Sequence, residues 1–535
     1  MQFDYVIVGG GSSGATLAGR LSEDPSVTVC LIEAGGEGKD LLIRAPTGAL
    51  TMVPDHIRYN NWGYETVPQA GLNGRRGYAP RGKTLGGSSA INAMLYVRGH
   101  QKDYDEWAGL GRDGWAWADV LPYFKKAENN ERGADDLHGA GGPLHVSNQK
   151  SPRPVTAAFI QAANERQIRS NADFNGADQD GVGYYQCTQF HGSRNGERCT
   201  TAAAYLHPHL SRPNLTVITR AQATKILFDG KRATGVAYRQ SGADKTVSAR
   251  REVILSGGAY NTPQLLLLSG VGPAAEIAAH GIGVVHDLPG VGKNLQDHLD
   301  FILAFKSDDH DMVGIGLRGT LALIRHMLQW RKDGTGMIAS TFAEAGAFIK
   351  SDPALDRPDL QLHFVIAIVD DHARKLHMGY GFSCHVCVLR PHSIGEVRLA
   401  SADPLAAPAI DPNYLADRRD LDLLVKGAKL TRDIIAGPAL AAYRAKEVYT
   451  KPDMSDAEWE SHIRARADTI YHPVGTAKMG VDAQAVVDPQ LRVHGLDGLR
   501  VVDASIMPRL IGGNTNAAAV MIAEKAADLI KAARR

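Results

Sequence analysis

The sequence predicts an α/β fold whose parallel sheet carries a phosphate-binding turn, and three observations predict it. An apolar, β-branched run, Tyr5-Val6-Ile7-Val8, leads without a break into Gly9-Gly10-Gly11-Ser12-Ser13-Gly14. A helical stretch follows from Ser13 to Leu21, with Leu17 and Leu21 four apart on one face. A second apolar run, Val27 to Ile32, ends on the acid Glu33. Strand, glycine turn, helix, strand and terminal acid, in that order, make a Rossmann-like dinucleotide unit.

Each element has a physical task. The first run does not alternate, as suits a strand buried on both faces. Gly9, Gly11 and Gly14 fit G-x-G-x-x-G. Gly9 permits the tight turn, Gly11 lets backbone approach a pyrophosphate, and Gly14 lets helix pack on strand. The helix opens at Ser13, and its free N–H groups and positive dipole end face the phosphates. Glu33 is spaced to accept hydrogen bonds from both hydroxyls of an adenosine ribose, and it disfavours a 2′-phosphate. The unit therefore binds a dinucleotide other than NADP; it does not by itself choose between NAD and FAD.

At 535 residues the chain predicts two or more domains. Its 59 basic and 58 acidic residues leave a net charge of +1, which argues against a nucleic-acid partner held by a general electrostatic footprint. Five scattered cysteines make no disulfide framework and suit a reducing compartment. No basic leader precedes the first strand, and no run approaches the roughly 20 apolar residues of a membrane span. The expectation is a cytoplasmic protein, at most peripheral to the inner membrane.

Two further motifs narrow the reading. Gly82-Lys83-Thr84-Leu85-Gly86-Gly87-Ser88-Ser89-Ala90-Ile91-Asn92 combines close backbone approach with hydroxyl donors, which suits a phosphate chain or a flat ring. After the strand Val253-Ile254-Leu255 comes Gly258-Ala259-Tyr260-Asn261-Thr262-Pro263-Gln264, with Thr262 and Pro263 reading as N-cap and first turn of a helix that stops at Gly270. These stretches resemble the two signatures of the glucose–methanol–choline (GMC) oxidoreductase family, and family-like segments run from Tyr5 to about Ala527.

The resemblance implies FAD, held by a discontinuous Rossmann-like domain, beside an α+β substrate domain built on an antiparallel sheet. It implies oxidation of an alcohol by hydride transfer to flavin N5. It assigns cofactor contacts to Gly9, Gly11, Ser12, Ser13, Gly14, Glu33, Ala34, Trp62, Gly82, Leu85, Gly86, Gly87, Ser88, Asn92, Ala93, Met94, Leu95, Ala223, Gly257, Asp503, Ala504, Asn516 and Ala517. Members with covalent flavin carry a His immediately before the Asn of the first signature; Ile91 stands there, so the expected attachment is non-covalent.

Tyr471-His472-Pro473-Val474-Gly475-Thr476 and Gly512-Gly513-Asn514-Thr515-Asn516 resemble the family's two catalytic segments. The carry-over makes His472 the active-site base and Asn514 its partner. An alcohol yields hydride readily only if its hydroxyl proton leaves too, and a His titrating near neutrality is suited to take it. Asn516 reads as the cap of a helix through Leu529, whose positive end would stabilise a reduced flavin's charge. Asp503, at the end of Val501-Val502-Asp503, falls near the flavin's ribityl-phosphate in the family reading and is a helix cap in the plainer one.

Other candidates are weaker. Cys384-His385-Val386-Cys387 has metal-like spacing but no second pair, and it lies in a predicted strand, so it reads as core; no metal is expected. Ser88-Ser89 lacks a nucleophile elbow. The basic run Lys525 to Arg535 reads as the solvated end of the last helix, with weak membrane contact as the sharper alternative.

The expected flavin-binding segments are 1–150, 200–300 and 470–535, and the substrate segments 151–199 and 301–469. Strands are predicted over Gln361 to Ile368, Phe382 to Leu389 and Glu396 to Leu399, with a helix over Leu421 to Ala436. A choline-type site needs a carboxylate and an aromatic cage; Glu344 is a candidate carboxylate, but residues 301–469 hold only Trp330 and Trp459. The expected substrate is a neutral primary alcohol, aliphatic or aryl, with electrons passing to a quinone or another carrier. An O2-using, peroxide-forming oxidase and a choline-type dehydrogenase stay open. The complete His472/Asn514 pair disfavours a light-driven decarboxylase and a non-enzymatic flavoprotein.

Overall fold

A computed structural model describes residues 1–54 and 59–534. Strand Gln2–Val8 pairs in parallel with Val29–Ile32, in register from Tyr5↔Val29 to Val8↔Ile32. Leu215–Ile218 adds a further parallel strand outside Val29–Ile32. On the other side of Gln2–Val8 lies Ala243–Leu255, parallel to it, followed by Arg232–Gln240 and Ala221–Asp229 in antiparallel order.

Ala243–Leu255 changes partner along its length, as its sequence does. Its polar first half pairs with Arg232–Gln240, whereas buried Val253-Ile254-Leu255 pairs in parallel with Leu499–Val501. The C-terminal segment is thereby brought to the same sheet as the N-terminal glycine turn. Helix Ser12–Leu21 packs against the last helix, Asn516–Ala532.

The second sheet has eight strands, antiparallel at every pairing. Its main path runs Lys446–Glu447, Leu299–Ser307, Gly379–Val388, Leu360–Val365, Ala343–Ile349, Gly181–Tyr184. Helices Pro154–Glu165 and Arg418–Ile435 pack on it. Two large apolar cores result. One gathers Val6, Leu17, Leu31, Val253 and Ile522; the other gathers Phe159, Phe301, Leu362, Val386 and Leu424.

Several expectations shift. The helix placed after Thr262 starts five residues earlier and spans Gly258–Leu268, so Pro263 lies inside it. A proline there removes the N–H that would bond the carbonyl of Ala259; the Thr476 hydroxyl donates to that carbonyl instead, at 2.6 Å. Glu396–Arg398 is a strand, but it pairs with Ala409–Asp411 outside the large sheet. Cys384 and Cys387 are buried in Gly379–Val388 as pleat residues.

The C-terminal basic run is solvated only in part: Ala532 and Ala533 are exposed, but the basic side chains before and after them are engaged. Lys525 is buried with its ammonium 5.0 Å from the Tyr123 ring. Lys531 pairs with Glu23 at 3.0 Å and Arg534 with Asp24 at 3.2 Å. Arg535 lies outside the described residues.

Candidate active site

A cavity of about 730 Å³ runs between the two sheets, from the glycine turn to the His472 loop. Most residues expected to hold the cofactor line it: Gly9, Gly11, Ser12, Ser13, Glu33, Ala34, Trp62, Gly82, Gly87, Ser88, Asn92, Ala93, Met94, Leu95, Ala223, Gly257, Asp503, Ala504 and Asn516. Gly14, Leu85, Gly86 and Ala517 are not in its wall. Gly14 sits behind the turn, where a Cβ would fall 1.8 Å from the Gly9 carbonyl oxygen. Gly86 holds the two glycine motifs together, its N–H donating to Gly10 at 2.8 Å.

The wall suits a long, flat, anionic ligand. Gly87 has φ +52, and a Cβ there would lie 2.7 Å from the Cα of Gly11, so the two motifs meet through bare backbone. Helices Ser12–Leu21 and Asn516–Ala532 both begin at the cavity without a side-chain cap, which leaves N–H groups and two positive dipole ends toward it. Thr515, not Asn516, is the N-cap of the last helix; the Asn516 amide oxygen accepts from Ser12 Oγ at 2.6 Å, tying the two helix starts together.

Glu33 is held by the amides of Gly10 at 2.8 Å and Gly35 at 2.7 Å, and burial pushes its carboxyl up to about 7. Asp503 is fully engaged: Oδ2 accepts from Gly258 N–H and the Thr262 hydroxyl, and Oδ1 from the amide and hydroxyl of Ser505. It ties the start of helix Gly258–Leu268 to the C-terminal strand and lines the cavity at the same time.

His472 sits on a strained turn. Tyr471 before it has φ +75, and Pro473 after it restricts it to extended backbone. The turn is fastened by buried Asp297, whose carboxylate accepts from the His472 N–H at 2.9 Å and from the Thr469 and Tyr414 hydroxyls, each at 2.6 Å.

The hydrogen bonds around His472 fix its tautomer. His298 Nε2 lies 3.0 Å from the Leu389 carbonyl, which only accepts, so that nitrogen carries the proton. Burial holds His298 neutral, with its pKa pushed down to about 4, so its Nδ1 is an acceptor. His472 Nδ1, 2.9 Å away, must therefore donate to it. His472 Nε2 is left without a proton, and Asn514 Nδ2 donates to it at 3.2 Å. The Asn514 orientation is set in turn by Gln361 Nε2, which donates to Asn514 Oδ1 at 3.1 Å. Burial, reinforced by His298 and His363, holds the pKa of His472 well below the ordinary value. The site thus presents a neutral imidazole with its lone pair beside an amide donor.

Sequence reading missed His298 and the polar residues that the antiparallel sheet places near this pair. Cross-strand partners His363 and His385 share one face with Asp300, whose Oδ2 is 2.7 Å from His385 Nδ1. All three line the cavity. Nε2 of His385 and Oδ1 of Asp300 have no hydrogen-bond partner among the described residues. The available signal was the alternation Gln361-Leu362-His363-Phe364, in which polar residues recur every second position of a buried strand. Glu344 lies elsewhere, accepting from Thr156, Ser340 and the Arg153 amide.

Family patterns described as GMC oxidoreductase match residues 3–300 and 391–523. The chain belongs to the GMC oxidoreductase family. Among GMC relatives, an "alcohol dehydrogenase [acceptor]" from Pseudomonas putida is 48% identical, the match covering 99% of this chain and 96% of that one. The mitochondrial choline dehydrogenase of Homo sapiens is 44% identical, with 99% and 90% covered. Of solved GMC-like structures, pyridoxine 4-oxidase from Mesorbium loti superposes with a TM-score of 0.89 at 33% identity, covering 99% of both chains. An Aspergillus oryzae formate oxidase variant, studied for its FAD modification, gives 0.91 at 29%, with 99% and 98% covered. The chain is thus an oxidoreductase of this family, with the family's mixed α/β architecture and antiparallel substrate sheet.

Proposed function

We propose that the protein oxidises a neutral primary alcohol, aliphatic or aryl, to the aldehyde, with non-covalent FAD in the cavity and His472 as base. One observation carries the reading: Nε2 of His472 lies 3.2 Å from the Asn514 amide nitrogen, in the wall of the cavity. FAD, when bound, supplies the acceptor for hydride from the carbinol carbon. His472 Nε2 takes the hydroxyl proton, and Asn514 Nδ2 orients the oxygen without competing for that proton. His298 keeps Nδ1 of the base occupied, and Gln361 keeps the Asn514 amide from turning over.

The two apolar cores support taking 1–150, 200–300 and 470–535 as cofactor segments and 151–199 and 301–469 as substrate segments. Ile91, in the cavity wall where covalent members carry His, offers no nucleophile to the flavin. Electrons then pass to a quinone or another carrier, as the "acceptor" of the Pseudomonas relative's name suggests, or to O2 as the alternative. A second reading, a choline-type alcohol, is favoured by the free Oδ1 of Asp300 in the cavity. His385 Nδ1 already engages the other oxygen of that carboxylate at 2.7 Å, which keeps the neutral alcohol first.

Anaerobic mixing with benzyl alcohol, a medium-chain alkanol and choline, followed by flavin absorbance, tests this. Bleaching by the neutral alcohols ahead of choline is expected, slow recovery in air marking a dehydrogenase and rapid recovery with peroxide an oxidase. A strong choline preference that Asp300→Asn removes would select the second reading. No bleaching by any alcohol would overturn both. Acid precipitation should leave the flavin in the supernatant.

A further inference from the structure

Helix Leu317–Asp333 turns its apolar side outward. Leu317, Leu321, Ile324 and Leu328 repeat at spacings of four, three and four, the period of one helix face. They are 81%, 60%, 56% and 67% exposed. Only His326 and Trp330 of this 17-residue helix are buried. The strand pairing Ile315↔Gly379 brings a second exposed apolar group, Leu376 and Met378, to the start of the helix. An outward strip this long exceeds the scattered apolar residues of an ordinary surface.

The exposed charges of the helix are basic up to its last residue. Arg318, Arg325, Arg331 and Lys332 are exposed along the same helix, whose one acid, Asp333, is at its last position and bonds the Thr335 amide at 3.0 Å. In the loop before it, Asp311 pairs with Arg153. Lys375, in the loop that ends at Met378, is exposed too.

We propose that this helix lies in the headgroup region of an anionic lipid bilayer, with Leu321, Ile324 and Leu328 directed into the acyl boundary and the arginines reaching phosphates. A leucine strip flanked by arginines has the composition of an in-plane interfacial helix, whose long cationic side chains extend to the headgroups while their stems cover apolar surface. A second copy of the chain fits less well, because a two-fold contact along the strip would bring arginines of like charge together. No helix among the described residues is long and apolar enough to cross a membrane, so the contact is with one leaflet.

The position of the helix gives the docking a consequence. Trp330 packs with Ala45, Ile338 and Ala339, next to Pro46 and Ala49 of the cavity wall. Arg374 and Lys375, from the loop carrying Leu376, also line the cavity. A bilayer against the strip would therefore lie near the cavity mouth, whichever alcohol the site oxidises.

Flotation of the purified holoprotein with vesicles of phosphatidylglycerol and phosphatidylcholine tests the proposal. Wild type should float with them, less so with phosphatidylcholine alone. Leu321→Ser/Ile324→Ser/Leu328→Ser should weaken binding about tenfold or more, and Arg318→Glu/Arg325→Glu should do so for the anionic vesicles. Bound flavin and turnover with a soluble dye acceptor should be unchanged in both, which separates lost docking from lost folding. The proposal is overturned if wild type stays unbound, if the triple variant floats equally well, or if sedimentation shows a wild-type dimer that the triple variant dissociates, since a second copy then covers the strip.

Discussion

At the scale of single residues, the site turns on which nitrogen of His472 carries the proton, and that is decided by a residue with no motif of its own. Replacing His472 with Ala should leave FAD bound, because the glycine motifs lie elsewhere, and slow flavin reduction by roughly 10²–10⁴-fold, the usual worth of a positioned base. Near-normal reduction in rapid mixing would remove His472 from the mechanism. His298→Ala deletes the acceptor of His472 Nδ1–H and frees the ring to turn over. Reduction should slow about tenfold, and His298→Asn, whose amide oxygen can accept in place of Nδ1, should restore most of it. Equal losses in both variants would mean that His298 only fills space. His472 and Asn514 were legible because both sit in recognisable segments; His298 was not, since one of 20 histidines carries no signal until its neighbours are known.

At the scale of elements, the cavity depends on two helices that start at its wall and run side by side. Arg20 of Ser12–Leu21 grips Glu524 of Asn516–Ala532 through Nε and Nη2, at 2.8 to 3.0 Å, and the Tyr205 hydroxyl donates to the same carboxylate at 2.8 Å. Glu524 is fully buried, so its removal strands a guanidinium and a hydroxyl in the core. Glu524→Ala should cost about 3 kcal/mol, the lower end for breaking a buried pair, since Arg20 keeps Glu23. Urea unfolding measures it, and a loss under about 1 kcal/mol would show the pair behaving as a surface bridge. Helix existence was readable from periodicity here. The start of Gly258–Leu268 was not, because a hydroxyl from Thr476 substitutes for the N–H that Pro263 lacks.

At the scale of the whole molecule, the buried histidines tie stability to pH. Burial lowers the pKa of His298 to about 4 and of His363 to about 3, against an ordinary 6.5. Between those values and 6.5 the unfolded chain binds protons that the folded chain excludes, so both histidines favour unfolding as pH falls. Glu33, pushed up to about 7, acts in the opposite sense, holding a proton when folded that it loses when unfolded. The test is therefore a difference. Melting temperature should fall less steeply from pH 6.5 toward 4 in His363→Gln than in wild type. Parallel slopes would mean that His363 is charged in the folded protein.

The sequence by itself determined the glycine turn, the parallel strands around it and the family, and it singled out the proposed catalytic pair. For the turn and its neighbours the physics acts within a few residues: a turn only glycine fits, a run of β-branched side chains, a helix start left free for an anion. Tertiary structure decided the rest. His298 meets His472 across 174 positions of sequence, and Asp300, His363 and His385 reach one face only through the register of three antiparallel strands. The outward strip on Leu317–Asp333 belongs here too. Its period predicts an amphipathic helix, but which side faces the protein depends on where Trp330 finds its core.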